Sequence, residues 1–353
     1  MDAARCHRGE APFRDAPGRV HFLMNISVII PTMNRSEDLR RCLGALMAQD
    51  RPADEVIVII GPGDTAAMGV FEEVSAGMRG WRSIPAARPS VVEALNLGLA
   101  EARGDIIVMT DDDAEAPPVW LQRIEQWFLR DEKIGAVGGR DHLMLPDELW
   151  LANPPPAKHV GQFNWYGWLS GNHHCGVLKS PLEVDVLKGV NLSFRRMAFP
   201  KVIIDPYLIS SGAEVGWEMD ICLVIRQSGW KIIYDNDVFV RHHVGQRTAG
   251  DDRVEIASPA ALRRAQNGSY LLAKHQPMGQ TLAVVSRSVA VGSKRQPGLL
   301  RGLAGLFMGR IDRISAAWRL ALAQAGGVRD GRRERRKHQS FEILPPGPNL
   351  RTP

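Results

Sequence analysis

Only four cysteines stand in 353 residues (Cys6, Cys42, Cys175 and Cys222), and no two make a Cys-x-x-Cys pair. That scarcity excludes a disulfide scaffold and reads as free thiols in a reducing, cytoplasmic compartment. No stretch of about 18 apolar residues occurs, so no spanning helix is expected. The first residues lack the apolar core of a secretory signal. Residues 1–24 are therefore read as a disordered leader, or translation starts at Met24, directly before the first strand. No internal repeat is present. Neither charge dominates: the formal net charge is +5. Much of that excess lies between Arg287 and Lys337, where "GRRERRKH" is the densest run, and the remainder is close to neutral. Composition thus gives no argument for nucleic acid as a partner.

What is present is an alternation of strand and helix. "ISVIIP" (Ile26 to Pro31), "EVIVII" (Glu55 to Ile60), "DIIVMT" (Asp105 to Thr110) and "IGAVGG" are short apolar runs of buried-strand type. Between them Leu39, Cys42, Leu43, Leu46 and Met47 have helical spacing, with Ser36 able to cap. Phe71, Val74 and Met78 mark a second helix. Ser90 and Glu93 have capping-box spacing before a third, which stops at Gly104. Pro118 opens a fourth with Trp120, Leu121, Ile124, Trp127 and Phe128 on one face. Repeated βα units predict a parallel, doubly wound α/β sheet, and such sheets bind ligands beyond the carboxyl ends of their strands. After residue 140 loops dominate. Then "VDVLKGVNLSFRR" reads as a strand pair, and "EVGWEMDICLVIRQSGWKIIYD" as a helix, a stop at Gly229 and a strand. A helical, basic extension is expected over 251–330 and a disordered basic tail over 331–353.

Asp111, Asp112 and Asp113 follow the apolar strand directly. Alternate residues of an extended chain point the same way, so Asp111 and Asp113 can face one hard cation. Mg²⁺ or Mn²⁺ takes one or two carboxylates and completes its shell with water and phosphate oxygens. A metal–diphosphate suits this strand tip better than the alternative, a solvated turn ahead of the next helix.

With these motifs in order, the chain resembles the family-2 glycosyltransferases. "SVIIPTMNRSEDLRRCLGAL", "EVIVIIGPGDT", "EALNLGLAEARGDIIVMTDDDAEAPPVWL" and "WEMDICLVIRQSGW" carry the resemblance over roughly Ile26 to Arg247. It implies the GT-A fold, with a nucleotide-binding half near 25–140 and an acceptor half near 141–250. It also implies inverting transfer of one sugar from a nucleotide-diphosphate donor to a glycan or lipid-linked acceptor, with Mn²⁺ or Mg²⁺ as cofactor, in cell-surface or exopolysaccharide synthesis.

The resemblance implies site residues too. Pro31, Thr32, Asn34 and Arg35 match the first nucleotide loop, where Met33 replaces the usual aromatic. Gly61 and Asp64 stand where the family has an Asp-rich, base-reading turn, and Arg88 matches a basic position near the phosphates. Asp111, Asp112 and Asp113 match the metal–diphosphate motif, and His242 a further ligand. Glu218 aligns with the general base, and Asp220 is the other candidate. Gly189, Asn191, Trp217 and Arg247 fall on the donor-sugar and acceptor side, with Trp165, Tyr166 and Trp168 as sugar-stacking candidates. Asn96 and Gly98 match a structural segment.

Other readings are weaker. A nucleotidyltransferase would need a glycine-rich loop where Pro31 to Ser36 has no glycine. A processive synthase would carry spanning helices, and zinc at His173, His174 and Cys175 finds no fourth ligand. A degenerate, non-catalytic sugar-binding or scaffold protein is the alternative function. The basic C-terminal helices, "GLLRGLAGLFMGRIDRISAAWRLALAQ", either contact a membrane surface peripherally or pack on the catalytic domain.

Overall fold

The computed structural model describes residues 24–144, 154–200, 203–209, 214–243, 257–293, 296–307, 309 and 312–342. The chain opens with β1 (Ile26–Thr32), α1 (Ser36–Met47), β2 (Glu55–Ile60), α2 (Thr65–Val74), β3 (Trp81–Pro85), α3 (Val91–Glu101) and β4 (Ile106–Met109). These strands lie parallel in the order β3-β2-β1-β4. Every residue of β2 and β4 is buried, which explains why both read as unbroken apolar runs rather than alternating ones.

Each face of the sheet has its own core. Ile29, Ile57, Ile107 and Met109 point to one side, against Val92, Leu95 and Leu99 of α3. Val28, Val58 and Val108 point to the other, against Leu39 and Leu43 of α1. Helix α3 sits so close that a Cβ on Gly98 would meet Ile29 Cγ2 at 2.4 Å. Its start is capped as the spacing predicts, with Ser90 Oγ accepting from Glu93 N at 3.1 Å, a bond worth about 1 kcal/mol. Asn96 ties the same helix to Ile204 through both its amide groups.

Next come β5 (Ala114–Glu115), α4 (Trp120–Arg130), β6 (Ile134–Met144), and the short β7 (Gln162–Phe163), β8 (Leu169–Ser170) and β9 (Leu182–Glu183). Then follow β10 (Leu192–Arg195), α5 (Trp217–Gln227) and β11 (Lys231–His243). Antiparallel β10 lies between β4 and β6; β11 runs parallel to β6, and β5 closes the sheet antiparallel to β11. The sheet is thus mostly parallel but mixed. Four helices complete the described chain: α6 (Pro259–His275), α7 (Met278–Ala290), α8 (Leu299–Phe307) and α9 (Asp312–Glu342).

Several expectations are corrected. Only Leu192–Arg195 of the expected strand pair is a strand, and Gly189–Asn191 ahead of it turns as a 3₁₀ segment that leads into the middle of the sheet. Helix α4 begins at Trp120, two residues after Pro118. Met78 lies beyond α2, and Ser36 is the first residue of α1 without a side-chain cap. The tail expected to be disordered from 331 continues α9 through Glu342. Tertiary packing decides this: a Cβ on Gly331 would lie 2.3 Å from Tyr270 O, so the glycine lets α9 lie tightly on α6, and Arg335 Nη1 donates to Gln276 O at 2.6 Å. Residues 1–23, 343–353 and the expected site residue Arg247 lie outside the described residues.

Candidate active site

The loops after β1, β2 and β4 meet at the carboxyl ends of the parallel strands. Asn34 takes a left-handed φ of 57°, and its N–H donates to Asp64 Oδ2 at 2.5 Å. The other oxygen of Asp64 accepts from Ala67 N at 3.0 Å and caps α2. Asp64 is therefore committed to joining the first two loops. Met33 lies across Gly61, where a Cβ would come within 2.7 Å of Met33 Cγ.

The acidic triplet does not continue β4 as an extended chain. It forms a turn, with Ala114 N donating to Asp111 O at 3.2 Å, and β5 follows. Asp112 turns towards the first loop and accepts from Thr32 Oγ1 at 2.8 Å and Arg35 Nη1 at 3.2 Å. Arg35 also reaches Asp113 Oδ2 at 2.8 Å. Because β5 pairs with the end of β11 in the register Ala114↔His242, the imidazole is delivered to this turn. One ligand atom each of Asp111, Asp113 and His242 lies within 4.8 Å of the others.

Behind His242 lies a carboxylate that the sequence reading missed. Asp141 is fully buried, receives His242 Nδ1 at 3.0 Å on one oxygen and the Lys188 ammonium on the other. Burial alone would raise its pKa, but these two partners outweigh that and hold it at about 2. His242 shows the mirror effect. Burial would lower its pKa, yet Asp113 and Asp141 raise it to about 10. Burial, then the neighbouring carboxylate of Asp113, push Asp111 up to about 6. Burial also lifts Asp112 to about 7 despite Arg35. Asp113 ends below its ordinary value because His242 and Arg35 outweigh burial.

This cluster fits a divalent cation. Three carboxylates crowd a site with little solvent, where like charges are costly without a cation. Asp113 Oδ1 is buried and has no hydrogen-bond partner; His242 Nε2 lies 3.2 Å away, an ion-pair distance without hydrogen-bond alignment. Mixed carboxylate and imidazole donors suit Mn²⁺.

From Asp111 a cleft of about 450 Å³ runs between the loops after β1 and β2 and the segment carrying Lys188, Trp217 and Glu218. Gly189 is required there by contact, since a Cβ would meet Trp217 Cζ2 at 2.3 Å. Gly216, at φ 93°, starts α5 immediately before Trp217. Glu218 lines the cleft, and its pKa is raised, first by burial and then by Asp111.

Asp220, the other base candidate, points away from the cleft. It is 2% exposed and accepts from Lys274 Nζ at 2.8 Å and from Asp205 N at 3.2 Å. Its Oδ1 also lies 2.7 Å from His275 Nε2. Asn191 is likewise turned inward, receiving Trp120 Nε1 at 3.1 Å and donating to Val238 O at 2.8 Å. Arg88 lines the cleft but pairs with Glu93 at 2.6 Å. Glu214, also missed, is buried at the cleft wall, where it accepts from Ser90 Oγ and Val92 N. Trp165 is 86% exposed, and Arg287 lies over the Trp168 ring. His173 contacts Val186 O rather than a metal cluster. The missed acids had one sequence signal: Asp141 interrupts an apolar strand near its carboxyl end, as Asp111 follows one.

A family model described as Glycosyl transferase family 2 matches residues 27–183. A glucosyl-dolichyl phosphate glucuronosyltransferase of Haloferax volcanii is 24% identical over 230 residues, 62% of this chain and 69% of that protein. Among solved structures, the mannosyltransferase PcManGT from Pyrobaculum calidifontis, in complex with GDP-Man and Mn²⁺, matches with a TM-score of 0.52 at 19% identity. That match covers 87% of both chains. GalNAc-T7 with UDP, GalNAc and Mn²⁺ matches with a TM-score of 0.58 at 15% identity, over 82% of this chain and 55% of that one.

Proposed function

We propose, for a chain that carries a glycosyl transferase family 2 domain of the GT-A fold and is a nucleotide-sugar glycosyltransferase, an inverting, metal-assisted transfer of one sugar to a lipid-linked glycan acceptor. The observation that carries this reading is the placement of Glu218 in the same cleft as Asp111, whose carboxylate joins the Asp113–His242 cluster.

Asp111, Asp113 and His242 would hold the ion. When bound, a divalent ion supplies charge neutralisation to the departing diphosphate. Arg35 places its guanidinium on the same acidic turn, where it orients the first loop towards the nucleotide. Glu218 accepts the proton of the acceptor hydroxyl as that oxygen bonds to the anomeric carbon. The bond from that carbon to the diphosphate oxygen breaks on the opposite face, and its electron pair leaves with the phosphate. Burial raises the proton affinity of Glu218, which strengthens it as a base. Trp217, fixed against Gly189, closes the cleft wall beside Glu218, and the exposed Trp165 offers an apolar ring face for a sugar. The name of the Haloferax volcanii relative supports a lipid-linked acceptor.

A thermal-shift panel of nucleoside diphosphates with Mn²⁺ tests the donor half without knowledge of the acceptor. At least one should raise Tm in the wild-type protein and fail to do so in Asp113→Asn. Absence of any nucleotide-dependent shift, with no release of sugar from any sugar nucleotide, would leave a non-catalytic domain instead.

A further inference from the structure

Between Pro259 and Glu342 the chain carries sixteen Lys and Arg against four Asp and Glu. Thirteen of these cations fall within α6–α9, and α9 displays its share in a particular order. One face of α9 is committed to the protein. Ala316, Ala317, Leu320 and Gln324 are buried on it. Gly327, where a Cβ would lie 2.2 Å from Gln266 O, continues it onto α6.

The opposite face is left to solvent and changes character along its length. Its first half presents Trp318 and Leu322, 58% and 57% exposed. They stand four residues apart, one helical turn, so both side chains leave the same side. The same stripe then continues into Arg329, Arg332, Arg333 and Arg336, all exposed. Helix α8 crosses the apolar half. Gly302 sits against Ile314 and Ala317, and its neighbours Leu300 and Leu303, 60% and 47% exposed, emerge beside that seam. Four large apolar side chains thus stand in water next to a cationic row. No described helix is long and apolar enough to cross a membrane.

We propose that this face of α8 and α9 docks the protein on an anionic lipid bilayer. Trp318, Leu322, Leu300 and Leu303 enter the interface, and the arginine row lies on the headgroups. Charge complementarity selects this occupant. An apolar patch alone would equally suit a second copy of the chain, but the same region of a second copy, with four acids against sixteen cations, offers the arginine row no anionic counterpart. A bilayer rich in anionic headgroups satisfies both halves of the stripe. This deepens the lipid-linked acceptor reading and depends on it for its purpose, but it is measurable without donor or acceptor.

The test is co-sedimentation of the full chain with vesicles of phosphatidylcholine plus phosphatidylglycerol, against phosphatidylcholine alone. Binding is expected to the anionic vesicles and to fall with added salt. Trp318→Ser/Leu322→Ser should weaken it by roughly tenfold or more. Arg332→Gln/Arg333→Gln should weaken it by roughly tenfold or more as well. Both double variants change exposed positions, so Tm and nucleotide-dependent thermal shifts should match wild type. Failure of wild type to sediment with anionic vesicles overturns the proposal, as does full retention by either variant. A concentration-dependent dimer abolished by Trp318→Ser/Leu322→Ser would also overturn it, assigning the face to a second copy. None of these outcomes touches the glycosyltransferase reading, which the nucleotide shift tests separately.

Discussion

Asp141 Oδ1 lies 3.0 Å from Nδ1 of His242, while its other oxygen holds Lys188 at the edge of the cleft. One buried carboxylate therefore orients the imidazole and the nearby ammonium together. With Nδ1 committed to Asp141, Nε2 is the ring nitrogen left on the Asp113 side, where it can serve a cation once it gives up its proton.

Carboxylates behind a ligating histidine govern metal affinity. Asp141→Asn keeps the shape but removes the charge, so it should weaken Mn²⁺ binding by about 10–100-fold. Titration calorimetry with Mn²⁺ and a nucleoside diphosphate checks this. Unchanged affinity would make Asp141 a purely structural residue.

Glu218→Gln should lower kcat by about 10²–10⁴-fold while leaving donor affinity intact. As the proposed base Glu218 acts deprotonated, and burial raises its pKa above the ordinary value. Activity should therefore fall on acidification at a higher pH than an exposed glutamate would give. A wild-type pH–rate profile compared with donor binding at each pH separates this loss from loss of the nucleotide.

Gly189→Ala has no room, because the new methyl would meet the Trp217 ring. The ring must move, at a cost of about 1–3 kcal/mol. Urea unfolding should show that loss, and turnover should fall with it, since Trp217 and Glu218 are adjacent on α5.

Asp220 is held far below the ordinary carboxylate value, because His275 and Lys274 outweigh its burial. A depressed folded pKa means its stabilisation is present above the unfolded pKa and is lost as pH falls through the folded one. Acid unfolding should therefore require protonating Asp220. Asp220→Asn leaves Lys274 paired with Asp205 and should destabilise by about 1.5–3 kcal/mol through the lost charged hydrogen bonds, with a flattened stability profile at low pH.

The apolar strands, the Ser90 cap and the acid triplet at a strand's carboxyl end were legible because each is a local property: unbroken hydrophobicity, a three-residue spacing, a charge run after a buried one. Glu218 and Asp220 show where that ends. Two residues apart on a helix, they point in nearly opposite directions, so their spacing says that one faces inward without saying which. Lys274 and His275, more than fifty residues later, take Asp220 and leave Glu218 to the cleft. Asp141, Lys188 and the helical course of residues 331–342 were hidden for the same reason. The sequence by itself determined which segments must be buried and where charge would gather. Which charges meet, and across what distance, was decided only when β11, β6 and α6 came together, because electrostatic and packing partners are chosen by proximity in space and not along the chain.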